Sequence, residues 1–315
     1  MKTVLPISTL VPTRDRAGAL KRMLDSLSEQ SAQPAEMIVV DASTGDETRR
    51  LCGTSVPGLS TKLIHHEANE VGAAAQRNQA MLHATQEWVL FLDDDIIFDP
   101  DCILRLWKAI QGNPNLGGVN AMIVNQKYSP PGRVSRVLFR YLHGRPEASY
   151  AGKCIGPALN LLPEDRPDLP DVVSVEWLNL GCTLYRREAL PYPLFPAHFR
   201  GYSFMEDVSL SLFVAEKWRL ANVRKARIFH ESRPADYKSD IASLAKMELV
   251  NRHFIMTRIL SRKQPGDYIR LIALEAFGIA TSLTSLNRFA ALPKVLSGKL
   301  SAVRVIAAEQ FGRRT

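Results

Sequence analysis

The run Trp88-Val89-Leu90-Phe91-Leu92, followed by Asp93-Asp94-Asp95 and Ile96, decides how the chain reads. Five apolar residues closed off by acids have the length and composition of a buried strand. Toward the N-terminus the pattern alternates. A helix-like stretch covers 73–84, short strands cover 62–65 and 37–40, and a first strand covers 4–11. Between those last two strands Leu20, Met23, Leu24 and Leu27 recur at helical spacing after Gly18. Such alternation predicts an α/β fold with a mostly parallel sheet flanked by helices. Ligands of these sheets bind outside the carboxyl ends of the strands. The notable polar segments fall there: Pro12-Thr13-Arg14-Asp15-Arg16 after the first strand, Asp41-Ala42-Ser43-Thr44 after the second, and the Asp triplet after Leu92.

Toward the C-terminus, residues 125–170 loosen into Pro, Gly and charged residues and read as a long excursion able to shape an acceptor site. Strand character returns at 177–185, and 205–218 is helix-like. The expected division is an α/β domain over 1–239 and a basic, helical C-terminal region over 240–315.

Forty Lys and Arg against 32 Asp and Glu give a formal charge of +8. From Arg252 onward there are eleven basic residues and three acids, so the first 251 residues are neutral overall. A basic tail on a neutral body points to an anionic surface. No nucleic-acid-binding module accompanies the charge, which favours lipid over nucleic acid. Arg and Lys would meet head groups while 271–279 lies at the interface; the alternative is an annex packed on the first domain or forming a homo-oligomer contact. Nowhere do about 18 uncharged apolar residues follow one another, as a spanning helix needs. Cys52, Cys102, Cys154 and Cys182 are scattered with no CxxC pair, which argues against a zinc site or a disulfide framework. The apolar run at the N-terminus is broken by Pro6, Ser8 and Thr9 and reads as a strand rather than a signal peptide. The expected setting is cytoplasmic, peripheral on the inner face of the plasma membrane.

Three adjacent carboxylates after a buried strand raise one another's pKa unless a cation or donor groups compensate them. A divalent ion does so economically, and oxygen ligands favour Mg²⁺ or Mn²⁺. If strand geometry persists, Asp93 and Asp95 share one face and Asp94 takes the other. The plainer alternative is that the triplet ends the strand and caps the next segment. Glu206-Asp207 offers a carboxylate base or, equally, acids at a helix N-terminus. His230 is a metal ligand or a histidine satisfied at a strand end. Trp177 stacks on a sugar or belongs to the core. Gly72 and Gly181 permit close backbone approach or simply mark turns.

Taken in order, VPTRDR (11–16), VVDAST (39–44), GAAAQRNQA (72–80), WVLFLDDDI (88–96), LGCTLYRREAL (180–190), MEDVSL (205–210) and ARIFH (226–230) resemble the family 2 glycosyltransferases, the large inverting group with the GT-A fold. The resemblance implies that Pro12, Thr13, Arg16 and Asp41 line the nucleotide pocket, with Arg77 close by. Asp93-Asp94-Asp95 looks like the DxD element that holds the metal and meets ribose and diphosphate, and His230 looks like a further ligand on that metal. Glu206-Asp207 matches the ED pair, with Asp207 as the base and Glu206 orienting it. Trp177 and Gly181 complete the expected sugar site. The sequence departs from the family pattern at Asp15, where Asn is usual, at Ala42, where a second Asp is frequent, and at 196–204, which replaces a Gly-Gly-Phe-Asp segment. The implied function is metal-assisted, inverting transfer of a sugar from a nucleotide-diphosphate donor to a glycan or lipid-linked acceptor. The rival is a non-catalytic binding subunit of the same fold. Another Mg²⁺-dependent phosphoryl enzyme is disfavoured by the missing P-loop pattern.

Overall fold

The computed structural model describes residues 2–201, 203–231, 240–283 and 286–311. Its elements in chain order are β1 (Thr3–Thr13), α1 (Ala17–Ser28), β2 (Ala32–Asp41), α2 (Glu47–Cys52), β3 (Lys62–Glu67), α3 (Ala73–His83), β4 (Trp88–Leu92), β5 (Ile96–Phe98), α4 (Cys102–Gln111), β6 (Leu116–Ile123), α5 (Arg133–His143), β7 (Cys154–Ile155), β8 (Leu159–Asn160), β9 (Val172–Val175), β10 (Cys182–Arg186), α6 (Glu206–Ala215), β11 (Arg219–His230), α7 (Ile241–Phe254), α8 (Pro265–Ser282) and α9 (Leu286–Phe311).

Among the described residues, nine strands form one sheet in the order β3-β2-β1-β4-β10-β6-β11-β5, with β9 also paired to β11. The pairs β1/β2, β2/β3, β1/β4 and β6/β11 are parallel. Strand β10 runs antiparallel between β4 and β6, and β5 and β9 run antiparallel to β11. Six strands (β1, β2, β3, β4, β6 and β11) therefore share a direction, as the alternating pattern predicts. Strand β4 lies between β1 and β10 with all five residues buried, which is why its sequence is apolar without alternation. Helix α1 turns Leu20, Met23, Leu24 and Leu27, each 0% exposed, into a core shared with Met37, Val39, Leu90 and Leu92. Truncating one such side chain to Ala costs about 2–5 kcal/mol. The predicted helices over 73–84 and 205–218 appear as α3 and α6.

The chain divides into two compact units. The sheet unit comprises Met1–Tyr128, Ala151–Lys153 and Leu161–Ser232, and the helical unit comprises Ser129–Tyr150, Cys154–Asn160 and Arg233–Thr315. The expected boundary at 239 falls outside the described residues, as do Arg313 and Arg314 of the basic tail. The helical unit takes in more than 240–315, because α5 and the β7–β8 hairpin, both within the stretch read as a loose excursion, group with it.

Inside the helical unit, Leu249, Met256, Leu271 and Ala302 form a small core. Beside it Lys299 Nζ lies 2.7 Å from both Glu248 Oε2 and Glu275 Oε2, and Arg252 Nη2 lies 2.8 Å from Glu248 Oε1. Gly298 lets α9 approach α7 closely, since a Cβ there would collide with the Ala242 carbonyl. The expectation that 271–279 as a whole faces an interface is corrected: Leu271 and Leu274 are buried, and it is Ile269 and Ile272 that face outward. No helix among the described residues is long and apolar enough to cross a membrane.

Candidate active site

The site is built within the sheet unit from the ends of β1, β2, β4 and β11 and the start of α6. After Leu92 the backbone leaves the sheet in a turn tied at both ends: Asp93 N donates to Gly181 O (3.1 Å), and Glu231 N donates to Asp95 O (2.8 Å). Strand geometry does not persist past Leu92, and the triplet divides within this turn. Asp94 turns toward β1, accepting from Thr13 Oγ1 at 2.7 Å and from Arg16 Nη1 at 2.9 Å. Asp95 accepts from Arg16 Nη2 at 2.8 Å, and with Asp93 it faces His230, whose Nε2 lies 2.9 Å from Asp95 Oδ1 and 3.9 Å from Asp93 Oδ2.

Donor atoms of Asp93, Asp95 and His230 lie within 4.8 Å of one another. Two carboxylate oxygens and an imidazole nitrogen are a donor set that suits Mn²⁺ or Mg²⁺. Gln126 Nε2 lies 3.2 Å from His230 Nδ1, and Asn125 grips the same residue's backbone, its Nδ2 donating to His230 O (2.8 Å) while its Oδ1 accepts from His230 N (3.1 Å). Gln126 thus contacts the Nδ1 side of the ring while its Nε2 side faces Asp95. A cation held through Nε2 would require the ring proton on Nδ1, where the side-chain oxygen of Gln126 would be the acceptor.

Burial favours the neutral acid at both Asp94 and Asp95, yet the two part ways. At Asp94 burial prevails over Arg16 and Thr13 and pushes the carboxyl up to about 7. At Asp95 burial is outweighed by His230 and then Arg16, which hold it down at about 2. One carboxylate of the triplet is therefore kept ionised where the candidate ligands converge.

Arg77, only 3% exposed, reaches from α3 to both acidic clusters: Nη2 is 2.7 Å from Asp93 Oδ1 and Nη1 is 3.1 Å from Glu206 Oε1. Glu206 and Asp207 are the first two residues of α6, after Met205 in the left-handed region at φ 73°. A non-glycine residue there is strained, and the strain sits immediately before the two acids. Their position at a helix N-terminus favours negative charge, but burial outweighs it. Burial and the neighbouring Asp207 raise Glu206 to about 8 against the pull of Arg77, and burial raises Asp207 to about 6 although Val208 N–H donates to it.

Asp41, at the end of β2, accepts from Ser43 N at 2.9 Å and sits 3.2 Å from His65 Nε2. Asp15, at φ 53°, accepts from Thr44 N at 3.0 Å and so ties the first polar loop to the second. Asp tolerates this left-handed conformation as Asn does. Pro12 is partly exposed beside Val40 in the β1–β2 register. Gly181 lies against the triplet, where a Cβ would come within 3.5 Å of Asp93 Oδ2. Trp177 is a correction. It is 6% exposed and its Nε1 donates to Leu161 O at 2.8 Å, so its ring is core rather than an open platform for a sugar. Sequence reasoning missed Gln126, Asn125 and Gln76, whose Nε2 joins the ends of β1 and β2 by donating to Thr13 O (2.9 Å) and Val40 O (2.7 Å). Gln76 lies within the 72–80 segment of the resemblance, whereas a lone Gln126 or Asn125 carries no pattern.

Residues 8–170, just over half of the chain, match Glycosyl transferase family 2, and the chain belongs to that family. A PGL/p-HBAD biosynthesis glycosyltransferase of Mycobacterium bovis is 32% identical over 100 residues, 31% of this chain and 39% of that protein. An uncharacterized glycosyltransferase of Haemophilus influenzae is 32% identical over 110 residues, 35% of this chain and 36% of its own length. The matched region thus spans under two fifths of either relative. Among solved structures, a mannosyltransferase of Pyrobaculum calidifontis in complex with GDP-Man and Mn²⁺ superposes with a TM-score of 0.51 at 19% identity, covering 95% of this chain and 75% of that one. GalNAc-T7 with UDP, GalNAc and Mn²⁺ gives 0.51 at 15% identity, covering 82% and 52%. At these identities the likeness is one of fold, and the fold is GT-A.

Proposed function

We propose that the chain is an inverting glycosyltransferase that moves a sugar from a nucleotide-diphosphate donor to a hydroxyl of a glycan or lipid-linked acceptor. The observation that carries this reading is the convergence of Asp93, Asp95 and His230 within 4.8 Å, bridged by buried Arg77 to the acidic pair of α6. Pro12, Thr13, Arg16 and Asp41 bind the base and ribose at the ends of β1 and β2. Asp95, Asp93 and His230 would hold Mn²⁺ or Mg²⁺, which when bound would supply positive charge to the departing diphosphate. Arg77 keeps Asp93 and Glu206 in register, and Glu206 orients the neighbouring base.

Asp207 is that base. It takes the proton of the acceptor hydroxyl as the oxygen forms its bond to the anomeric carbon, and the bond from that carbon to the diphosphate oxygen breaks on the opposite face. One displacement from the opposite face inverts the anomeric centre. The nucleoside diphosphate departs with the electron pair, and Asp207 later gives its proton to solvent.

Incubation with a panel of UDP, GDP, dTDP and CDP sugars and Mn²⁺ tests the proposal. Release of the nucleoside diphosphate from one donor, abolished by EDTA and by Asp207→Asn while that donor still binds, is the expected result. A donor that binds without any nucleotide release, with a range of hydroxyl acceptors present, refutes catalysis in favour of a binding subunit.

A further inference from the structure

Helix α8 reverses the usual division of a surface helix. Leu271 and Leu274 are buried, and the charges of Glu275 and Asp267 are turned inward, with side chains 15% and 14% exposed. Its solvent side carries Ile269 (56% exposed), Ile272 (66%), Ala276 and Ala280, with Leu283 (58%) just past its end. Those positions are spaced by three, four, four and three residues, which places them along one face. No exposed residue of α8 is charged.

Helix α5, in the same unit, continues the pattern. Val134, Val137 and Tyr141 are exposed at 73%, 72% and 45%, each next to an exposed arginine at 133, 136 or 140. The two helices meet where the Arg270 guanidinium lies 5.8 Å from the Tyr141 ring centroid, one residue from Ile269. Lys263, also exposed, precedes α8. Apolar stripes exposed to water on two helices that meet at Arg270 and Tyr141 are the kind of surface that marks an interaction site.

We propose that α5 and α8 together form a membrane-docking face, in which Val137, Ile269 and Ile272 enter the headgroup–acyl boundary while Arg133, Arg136 and Arg140 meet anionic head groups. Charge complementarity selects this occupant. Neither helix exposes an acid, so a second copy would set the same arginines against each other, whereas an anionic bilayer satisfies both the apolar stripe and its basic border. The sequence placed such a contact in the tail alone; the structure joins it to a helix of the middle excursion. The inference stands apart from the catalytic reading, because it concerns only residues of the helical unit.

Flotation of the full chain with vesicles of phosphatidylcholine and phosphatidylglycerol tests it, against vesicles of phosphatidylcholine alone. Binding is expected only with the anionic lipid, weakening as salt rises. Ile269→Glu with Ile272→Glu should lower the apparent affinity by about tenfold or more, since each removes buried apolar area and adds repulsion. Arg133→Gln with Arg136→Gln and Arg140→Gln should lower it by a similar factor, about tenfold at low salt. Val4→Glu, at an exposed site of β1, should leave it unchanged. The proposal fails if the wild-type chain does not float with anionic vesicles, or if both multiple variants float as well as it does. It fails equally if light scattering shows a wild-type dimer that the isoleucine pair dissolves, with no vesicle binding.

Discussion

His230 Nε2 faces Asp95 Oδ1 at 2.9 Å, so the residue that ends β11 closes the site opened by the end of β4, although 135 positions separate them in the chain. Asp95 also pairs with Arg16 at 2.8 Å, and His230 and Arg16 together hold its carboxyl down at about 2. Asp95→Asn and His230→Ala should each weaken Mn²⁺ binding by about 100-fold or more, given that loss of even an outer-sphere partner costs about 10–100-fold. Gln126→Leu, which leaves His230 in place but removes its Nδ1 partner, should cost about tenfold. Calorimetric titration with Mn²⁺ checks all three, and unaltered affinity in Asp95→Asn would remove that residue from the ligand set.

Arg77 is the sole cation that the ion pairs give to both Asp93 and Glu206 among the described residues. Its guanidinium is buried, so its removal leaves Asp93 and Glu206 without the cation that pairs them. Arg77→Met should destabilise the sheet unit by about 3–5 kcal/mol, the range for breaking a buried pair by deleting one partner. Arg77→Lys should recover only part of it, because a single ammonium cannot reproduce the forked contact. Urea unfolding followed by circular dichroism reads both values.

Gly72 caps α3 at φ 144°, and a Cβ there would lie 2.6 Å from Gly201 O. The obstacle is backbone, which cannot swing away. Gly72→Ala should therefore cost about 1–3 kcal/mol and displace the segment leading to Met205 and Glu206. Melting temperature and turnover should fall together, while Gly53→Ala, at a helix end with ordinary contacts, should leave both nearly unchanged.

What the sequence reveals follows the physics that writes it. Strand β4 was legible because complete burial demands five apolar residues in a row, and the triplet was legible because uncompensated acids beside such a strand are costly. Helix α5 was not. Its Arg133, Arg136 and Arg140 do recur at helical spacing, but only Leu142 of its residues is buried, and Pro130-Pro131-Gly132 before it reads as loop. Trp177 misled because an aromatic near a strand serves a core or a sugar equally well, and only its bond to Leu161 decides. Residues such as Gln126 and Asn125 act through a contact about a hundred positions away, which no local pattern encodes.

Asp207 and Glu206 give two pH dependences of opposite use. Asp207 is raised by burial to about 6, so the ionised form needed to accept a proton is lost below that value. The kcat/KM should fall about tenfold per pH unit on the acid side of pH 6 and level off above it, and Asp207→Asn should remove the limb along with about 10²–10⁴-fold of rate. Glu206 is raised by burial and by Asp207 from 4.5 to about 8. A carboxyl whose folded pKa exceeds its unfolded value binds its proton more tightly in the folded state, so its stabilising contribution is present at low pH and is lost as the pH climbs from about 4.5 through about 8. Glu206→Gln cannot ionise and should escape that loss. Its unfolding free energy relative to wild type should rise between pH 5 and about pH 8, measured by urea titration across that window. A difference that stays flat with pH would show that Glu206 is already ionised beside Arg77 and does not hold a proton next to the base.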